Sequence, residues 1–192
     1  DFHSWIKKSN ILNNTNRNNV LLDLGCGKAG DLKHWIDSKL SHIVGIDYSK
    51  DNLENVNNGA CNRILDTISK DTNPILNNIM LIWADCSKNI IDGSAGFDDL
   101  NQYYLNIIWG NISNKTIQPT SKLVKFYELA NIDKGYGFDA VSCQFAIHYF
   151  FQTEDKLDRF LANVSESLKP GGKFFGCCLD GKLVFDRLQS DS

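Results

Sequence analysis

Three carboxylates recur in the first half of the chain, and each closes an apolar run. Asp23 follows residues 20–22, Asp47 follows 43–46 and Asp85 follows 79–84. Gly25, Gly27 and Gly30 come directly after the first acid, in the GxGxxG spacing of a nucleotide-binding turn. Glycine permits backbone angles that a side chain forbids, and it lets a ligand lie against bare main chain. At its distance from the turn Asp47 suits ribose hydroxyls, and Asp85 suits an adenine amino group. Asp23 is the discriminating residue. Beside the glycines it would repel a pyrophosphate and attract a cation. That disfavours a nicotinamide dinucleotide and favours S-adenosylmethionine, a nucleoside carrying a sulfonium and an ammonium. Taken singly, each acid reads equally well as a solvated strand end. Three in succession with a glycine turn read as a methyl-donor pocket.

Those acids need strands that deliver them to one edge. Apolar runs of strand length occupy 20–24, 43–46, 79–84, 138–143 and 173–179, with helical periodicity between them. Phe2, Trp5, Ile6 and Ile11 give a first helix over 1–12 an apolar side, followed by a polar loop over 13–19. Ser49 caps a helix in which Leu53, Val56, Ala60, Ile64, Leu65 and Ile68 face the core. The stretch 90–136 is long for a crossover. Leu100, Tyr103, Tyr104, Ile107 and Ile108 predict one helix there, stopped by Gly110, and Leu123, Phe126, Tyr127 and Ala130 predict another. Leu157, Phe160, Leu161, Val164 and Leu168 predict a further helix, ended by the breaker at 169–172. A last helix spans 181–188. The alternation predicts a parallel, doubly wound α/β sheet. Ligands of such sheets bind beyond the carboxyl ends of the strands, where Asp23, Asp47, Asp85 and Gln144 are expected together.

Composition narrows the partners. The chain has 192 residues, enough for one domain with a full core, and 42% of them are hydrophobic. It divides into an N-terminal helix and loop (1–19), a cofactor-binding half (20–91), an insert (92–136) and a second half (137–192). A net charge of −3 gives no basic footprint, so a nucleic-acid partner would be held by a terminus or a base. Six cysteines without a CxxC pair point to a reduced, intracellular setting with neither disulfides nor zinc. No run approaches a membrane span, and no signal peptide is visible. The three prolines are Pro74, Pro119 and Pro170. The Pro-Pro-aromatic motif of amino-group methylation and the Pro-Cys nucleophile of cytosine methylation are therefore missing. After the fourth strand stand Gln144, Phe145, His148 and Tyr149, side chains that stack on and hydrogen-bond a flat base.

Residues 23–32 (DLGCGKAGDL) together with 142–150 (SCQFAIHYF) resemble the mRNA cap (guanine-N7) methyltransferase family. Residues 179–182 and the long insert are similar to versions from large DNA viruses and protists, where the domain can form part of a multifunctional capping enzyme. The resemblance implies a Rossmann-like class I S-adenosylmethionine-dependent methyltransferase fold, whose final antiparallel hairpin lies past Ser192. It implies methyl transfer from S-adenosylmethionine to guanine N7 of a GpppN-capped mRNA 5′ end, leaving S-adenosylhomocysteine. It implies triphosphatase and guanylyltransferase domains linked upstream, and no metal or membrane partner. The location would be the nucleus of a cell, or host cytoplasm or virion for a virus.

By position the resemblance assigns Lys7 to the methionine carboxylate, although spacing alone makes Lys7 and Lys8 a solvated basic turn. Asp23, Gly25 and Gly27 line the methionine moiety. Asp47 holds the ribose, Asp85 and Cys86 meet adenine, and Gln144 and Tyr149 complete the donor pocket. Lys28, His34 and Arg63 fall to the cap phosphates, while Phe145, His148 and Tyr149 fall to the guanine. His34 stands where the family carries a basic residue, and Arg63 is displaced from the family's arginine. Ser4 replaces an asparagine and Leu179 a proline. No residue is assigned as acid or base, because N7 offers a free lone pair. Two alternatives stay open: methylation of a small molecule or protein on the same scaffold, and a non-catalytic cap-binding or stimulatory subunit.

Overall fold

The computed structural model describes residues 2–70 and 73–190. Five strands, β1 (Val20–Leu24), β2 (His42–Asp47), β3 (Ile79–Trp83), β4 (Phe138–Gln144) and β5 (Leu168–Cys177), form one sheet. Their order is β3-β2-β1-β4-β5, and every pairing is parallel. The chain winds from β1 to one edge and then restarts on the other side of β1 at β4. This reversal leaves a crevice above the β1–β4 boundary, the topological switch point of a doubly wound sheet.

Strand alternation sorts the core into two layers. On β1, Leu22 and Leu24 face one side, with Val44, Ile46, Met80 and Ile82. That side is covered by α5 (Asp99–Trp109) and α6 (Glu154–Ser167), through Leu105, Ile108, Phe160 and Val164. Leu21 and Ile43 face the other side. There α1 (Phe2–Asn14), α2 (Leu32–Asp37), α3 (Lys50–Glu54) and α4 (Ala60–Ile68) bring Ile11, Trp35, Leu53 and Ile64. Full burial of side chains of this size stabilises the fold by about 1.5–3 kcal/mol each.

Four local expectations need correction. The helix expected from Ser49 to Ile68 is two helices. Asn55 Oδ1 accepts the N–H groups of Asn57 and Asn58, and Gly59 N bonds back to the Asn55 carbonyl. That asparagine turn breaks the helix and leaves Val56 and Leu65 exposed. The second helix expected in the crossover is only a 3-10 turn, Lys122–Phe126. Beyond it, the N–H groups of Glu128 and Ala130 bond the carbonyls of Ile107 and Ile108 at the end of α5, so the backbone is committed elsewhere. The breaker at 169–172 lies inside β5. Leu168 pairs with Phe138 and Lys173 with Ala140, and the residues between loop out as a bulge around Gly171 (φ +80°). On α1 the core contact is Ile11, whereas Phe2 and Trp5 stack on each other and stay exposed. A final helix, α7 (Gly181–Ser190), follows β5. No described helix is long and apolar enough to cross a membrane.

Candidate functional site

A cleft of about 570 Å³ opens at the carboxyl ends of β1 to β4. Gly25 and Gly27 line it at the turn after β1. Both have positive φ, and a Cβ on Gly25 would lie 2.6 Å from the Ala146 side chain, so the approach of the two loops requires glycine there.

Asp47 ends β2 and ties this turn to α3. Its Oδ2 accepts the Gly27 N–H at 2.7 Å, and its Oδ1 accepts from Ser49 N at 2.9 Å and Asn52 Nδ2 at 3.0 Å. A carboxylate has about four acceptor positions, so one stays open. Asp85 is held in the same manner. Its Oδ1 accepts from Ser87 N at 2.9 Å and Ser87 Oγ at 2.6 Å, and Oδ2 has no partner among the described residues. Asp-x-Ser therefore occurs twice, at 47–49 and 85–87. Each copy folds as an Asx turn that fixes the carboxylate's orientation.

Gln144 ends β4. Its Oε1 accepts from Asn10 Nδ2 at 3.2 Å and Cys177 Sγ at 3.1 Å. In this arrangement Nε2 is buried without a hydrogen-bond partner. The far wall is aromatic. Phe145 holds a left-handed φ of 57° while its N–H bonds the Cys177 carbonyl at 2.7 Å. Tyr149 is 71% exposed at the rim, and Phe150 stacks on buried Phe160 at 4.1 Å.

The structure thus brings Gly25, Gly27, Asp47, Asp85, Cys86, Gln144, Phe145 and Tyr149 to one cleft. The other expected residues do not line it. Asp23 was expected at the end of its strand with its carboxylate in the cleft, but it lies one residue inside β1 and only 2% exposed. Alternation sends it to the Leu21 side, beneath α1, where Lys7 pairs with Asp31 at 3.0 Å. Burial first, and then the Asp31 charge, push the Asp23 carboxyl up to about 7. Lys7 lies over Gly30, 3.5 Å from the position a Cβ would take. His34 is buried near Ser4, and desolvation lowers its pKa, which disfavours a cationic grip on phosphate. His148 is exposed and packs on Tyr149 at 4.2 Å. Lys28 donates to Asn58 Oδ1 at 2.6 Å, and Arg63 lines a separate hollow.

Tyr48, Ser49, Asn52, Ser87, Gln152 and Lys156 also line the cleft. From sequence, Ser87 was missed and Ser49 was read only as a helix cap; the repeated Asp-x-Ser pattern is the signal that points to both. Lys156, in the first turn of α6 and bonded to Gln152 Oε1 at 2.6 Å, carries no comparable signal. Among the described residues no group of three or more His, Cys, Asp or Glu could hold a metal ion.

A glycine turn facing two acid-tipped strands across a switch-point crevice defines a nucleoside-binding α/β protein of the methyltransferase type. Solved structures agree on the fold. An S-adenosylmethionine-dependent methyltransferase from Clostridium acetobutylicum superposes with TM-score 0.50 at 16% identity, over 92% of this chain and 50% of that one. The cyclase SpnF gives 0.51 at 14% identity, over 90% and 43%, so the fold alone leaves the reaction open.

The sequence is more specific. The model of the mRNA (guanine-N(7))-methyltransferase domain matches residues 1–113 and 116–192, and the chain belongs to that family. An mRNA cap guanine-N(7) methyltransferase of Eremothecium gossypii is 31% identical over 192 residues, covering 100% of this chain and 35% of its own length. One from Oryza sativa subsp. japonica is 30% identical over 190 residues, covering 97% and 40%. A probable mRNA-capping enzyme of Acanthamoeba polyphaga mimivirus is 25% identical over 201 residues, covering 98% and 14%. The chain therefore spans well under half the length of these relatives.

Proposed function

We propose that this domain transfers a methyl group from S-adenosylmethionine to N7 of the terminal guanine of GpppN-capped RNA. The observation that carries the reading is the cleft itself, with two anchored carboxylates on one side and an aromatic wall on the other. When bound, the donor supplies an electrophilic methyl on a sulfonium sulfur, and guanine N7 accepts it without losing a proton. The residues fit such a donor. Asp85 Oδ2 is an open acceptor for an adenine amino group, and the remaining position on Asp47 suits a ribose hydroxyl. The buried, unpaired Gln144 Nε2 suits an acceptor such as the methionine carboxylate.

Phe145 and Tyr149 give the guanine a surface to lie against. Holding N7 in line with the methyl carbon can supply on the order of 7–11 kcal/mol of the barrier. Two acids at the site favour the donor's positive charge over a phosphate. The match to a probable capping enzyme supports placing the domain in a longer capping protein.

A methyl-transfer assay with the full-length protein on GpppG-capped RNA tests this, with the product located by mass spectrometry. Methylation at guanine N7 is expected. A methyl group elsewhere on the RNA, or transfer only to a protein or small molecule, overturns it. Donor and cap binding without turnover would instead establish the binding-subunit alternative.

A further inference from the structure

A second hollow, of about 330 Å³, lies against α4. Asn57, Asn58, Asn62, Arg63, Asp66 and Lys70 line it. Residues 62, 63 and 66 share one helix face by their three- and four-residue spacing, and Lys70 continues that face beyond the last turn. Among the described residues, neither the Arg63 guanidinium nor the Lys70 ammonium has an ion-pair or hydrogen-bond partner. The hollow thus sets two cations that lack an ion-pair partner among the described residues, and one carboxylate, Asp66, around three amides that both donate and accept.

Lys28 joins the hollow to the cleft. Its backbone follows Gly27, which lines the cleft, and its Nζ donates to Asn58 Oδ1 at 2.6 Å. It therefore stands on the ridge between the two depressions, with Asp51 3.8 Å away.

We propose that this hollow carries the ribose–phosphate backbone of the first nucleotides of the capped RNA as they leave the cleft. The inference rests on the cap-methylation reading above. A guanidinium forks two phosphate oxygens, and an ammonium binds a phosphate as a point charge. Asparagine amides match the ribose 2′-hydroxyl, which is itself donor and acceptor. None of the described lining residues is aromatic, so phosphate and ribose contacts carry the grip rather than an aromatic stacking platform. Asp66 opposes the anion and sets a ceiling on affinity.

The test titrates the full-length protein with a GpppG dinucleotide and with a GpppG-capped 10-nucleotide RNA across a salt series, with S-adenosylhomocysteine present. The capped RNA is expected to bind more tightly than GpppG. Lys70→Ala touches no part of the cleft. It should weaken RNA binding by about fivefold at 0.1 M salt, reduce the log–log salt slope by about 0.7, and leave GpppG binding where it was. Adding Arg63→Ala should bring the loss of slope to about 1.4, and Asp66→Asn should tighten RNA binding. A double variant with unchanged RNA affinity and slope overturns the inference. A wild-type protein that binds S-adenosylhomocysteine but not GpppG overturns the cap reading instead.

Discussion

Asp47 Oδ2 accepts the backbone N–H of Gly27 at 2.7 Å, so the acid at the tip of β2 also holds the glycine turn of β1 in place. The same carboxylate fixes Ser49 and Asn52 through its other oxygen. Asparagine in its place keeps one acceptor oxygen and turns the other into a donor, which faces either the Gly27 N–H or the α3 entry. Asp47→Asn is expected to weaken S-adenosylhomocysteine binding about 10- to 100-fold, the equivalent of roughly 1.5–3 kcal/mol for bonds to a charged group. It is expected to lower the thermal midpoint as well. Isothermal titration and a melting curve check both, and a variant that binds normally removes Asp47 from the donor site.

Asp85 allows a sharper test, because its two oxygens have separate tasks. Oδ1 is occupied by Ser87, and Oδ2 is open. In Asp85→Asn the amide oxygen keeps the Ser87 bonds, and its NH₂ replaces the open acceptor. Binding of S-adenosylhomocysteine should fall by about tenfold or more, since a donor then faces the adenine amino group. The analogue with hypoxanthine in place of adenine presents an acceptor at that position. It should bind wild type weakly and should lose nothing with Asp85→Asn. If both ligands respond alike, Asp85 does not read the adenine edge.

Strands β1 to β4 were legible because a parallel strand packed on both faces reads as a short apolar run. β5, an edge strand in which only Phe175 is buried, was legible from the apolar residues of its second half alone. The carboxylates of the cleft were legible for a related reason. Its acids sit at strand ends, where an apolar run stops at a carboxylate. Asp23 shows the limit of that signal. It also ends a run, yet β1 continues one residue further, and the pleat turns the carboxylate under α1. Helix boundaries were lost where side chains, and not periodicity, decide them. Asn55 breaks a pattern that reads as continuous, and the end of α5 captures the backbone at 128 and 130. Arg63 and Lys28 needed the fold as well, because the Asn57–Asn58 turn sets which depression each one borders.

Burial of Asp23 makes stability depend on pH. Its carboxyl is raised from 3.8 to about 7. Between those values the folded protein keeps a proton that the unfolded chain has released. This group therefore costs nothing at pH below about 4, and its penalty grows as pH rises towards 7. At full ionisation the penalty is on the order of 4 kcal/mol. Asp23→Asn removes the titrating group while keeping its shape. Measured by urea unfolding, the stability of the variant relative to wild type should rise between about pH 4 and pH 7 and level off above that. A difference that stays constant across that range would show that Asp23 does not titrate there.

Phe145 occupies a conformation that suits glycine, with φ at 57°. The backbone is kept there by the bond from its N–H to the Cys177 carbonyl, while its ring contacts His3 at 4.9 Å and borders the cleft. A left-handed backbone costs an L-residue roughly 1–2 kcal/mol, and the ring's role at the cleft is what the strain would serve. Two truncations separate these effects. Phe145→Ala removes the ring and keeps the strain; Phe145→Gly removes both. Both should lose the same affinity for GpppG, because the aromatic surface is gone in each. The glycine variant should be more stable than the alanine variant by about 1 kcal/mol in chemical denaturation. Equal stability of the two would mean that the backbone relaxes once the ring is removed. In that case the ring's packing on His3, and not the Cys177 bond, holds the residue in its left-handed conformation.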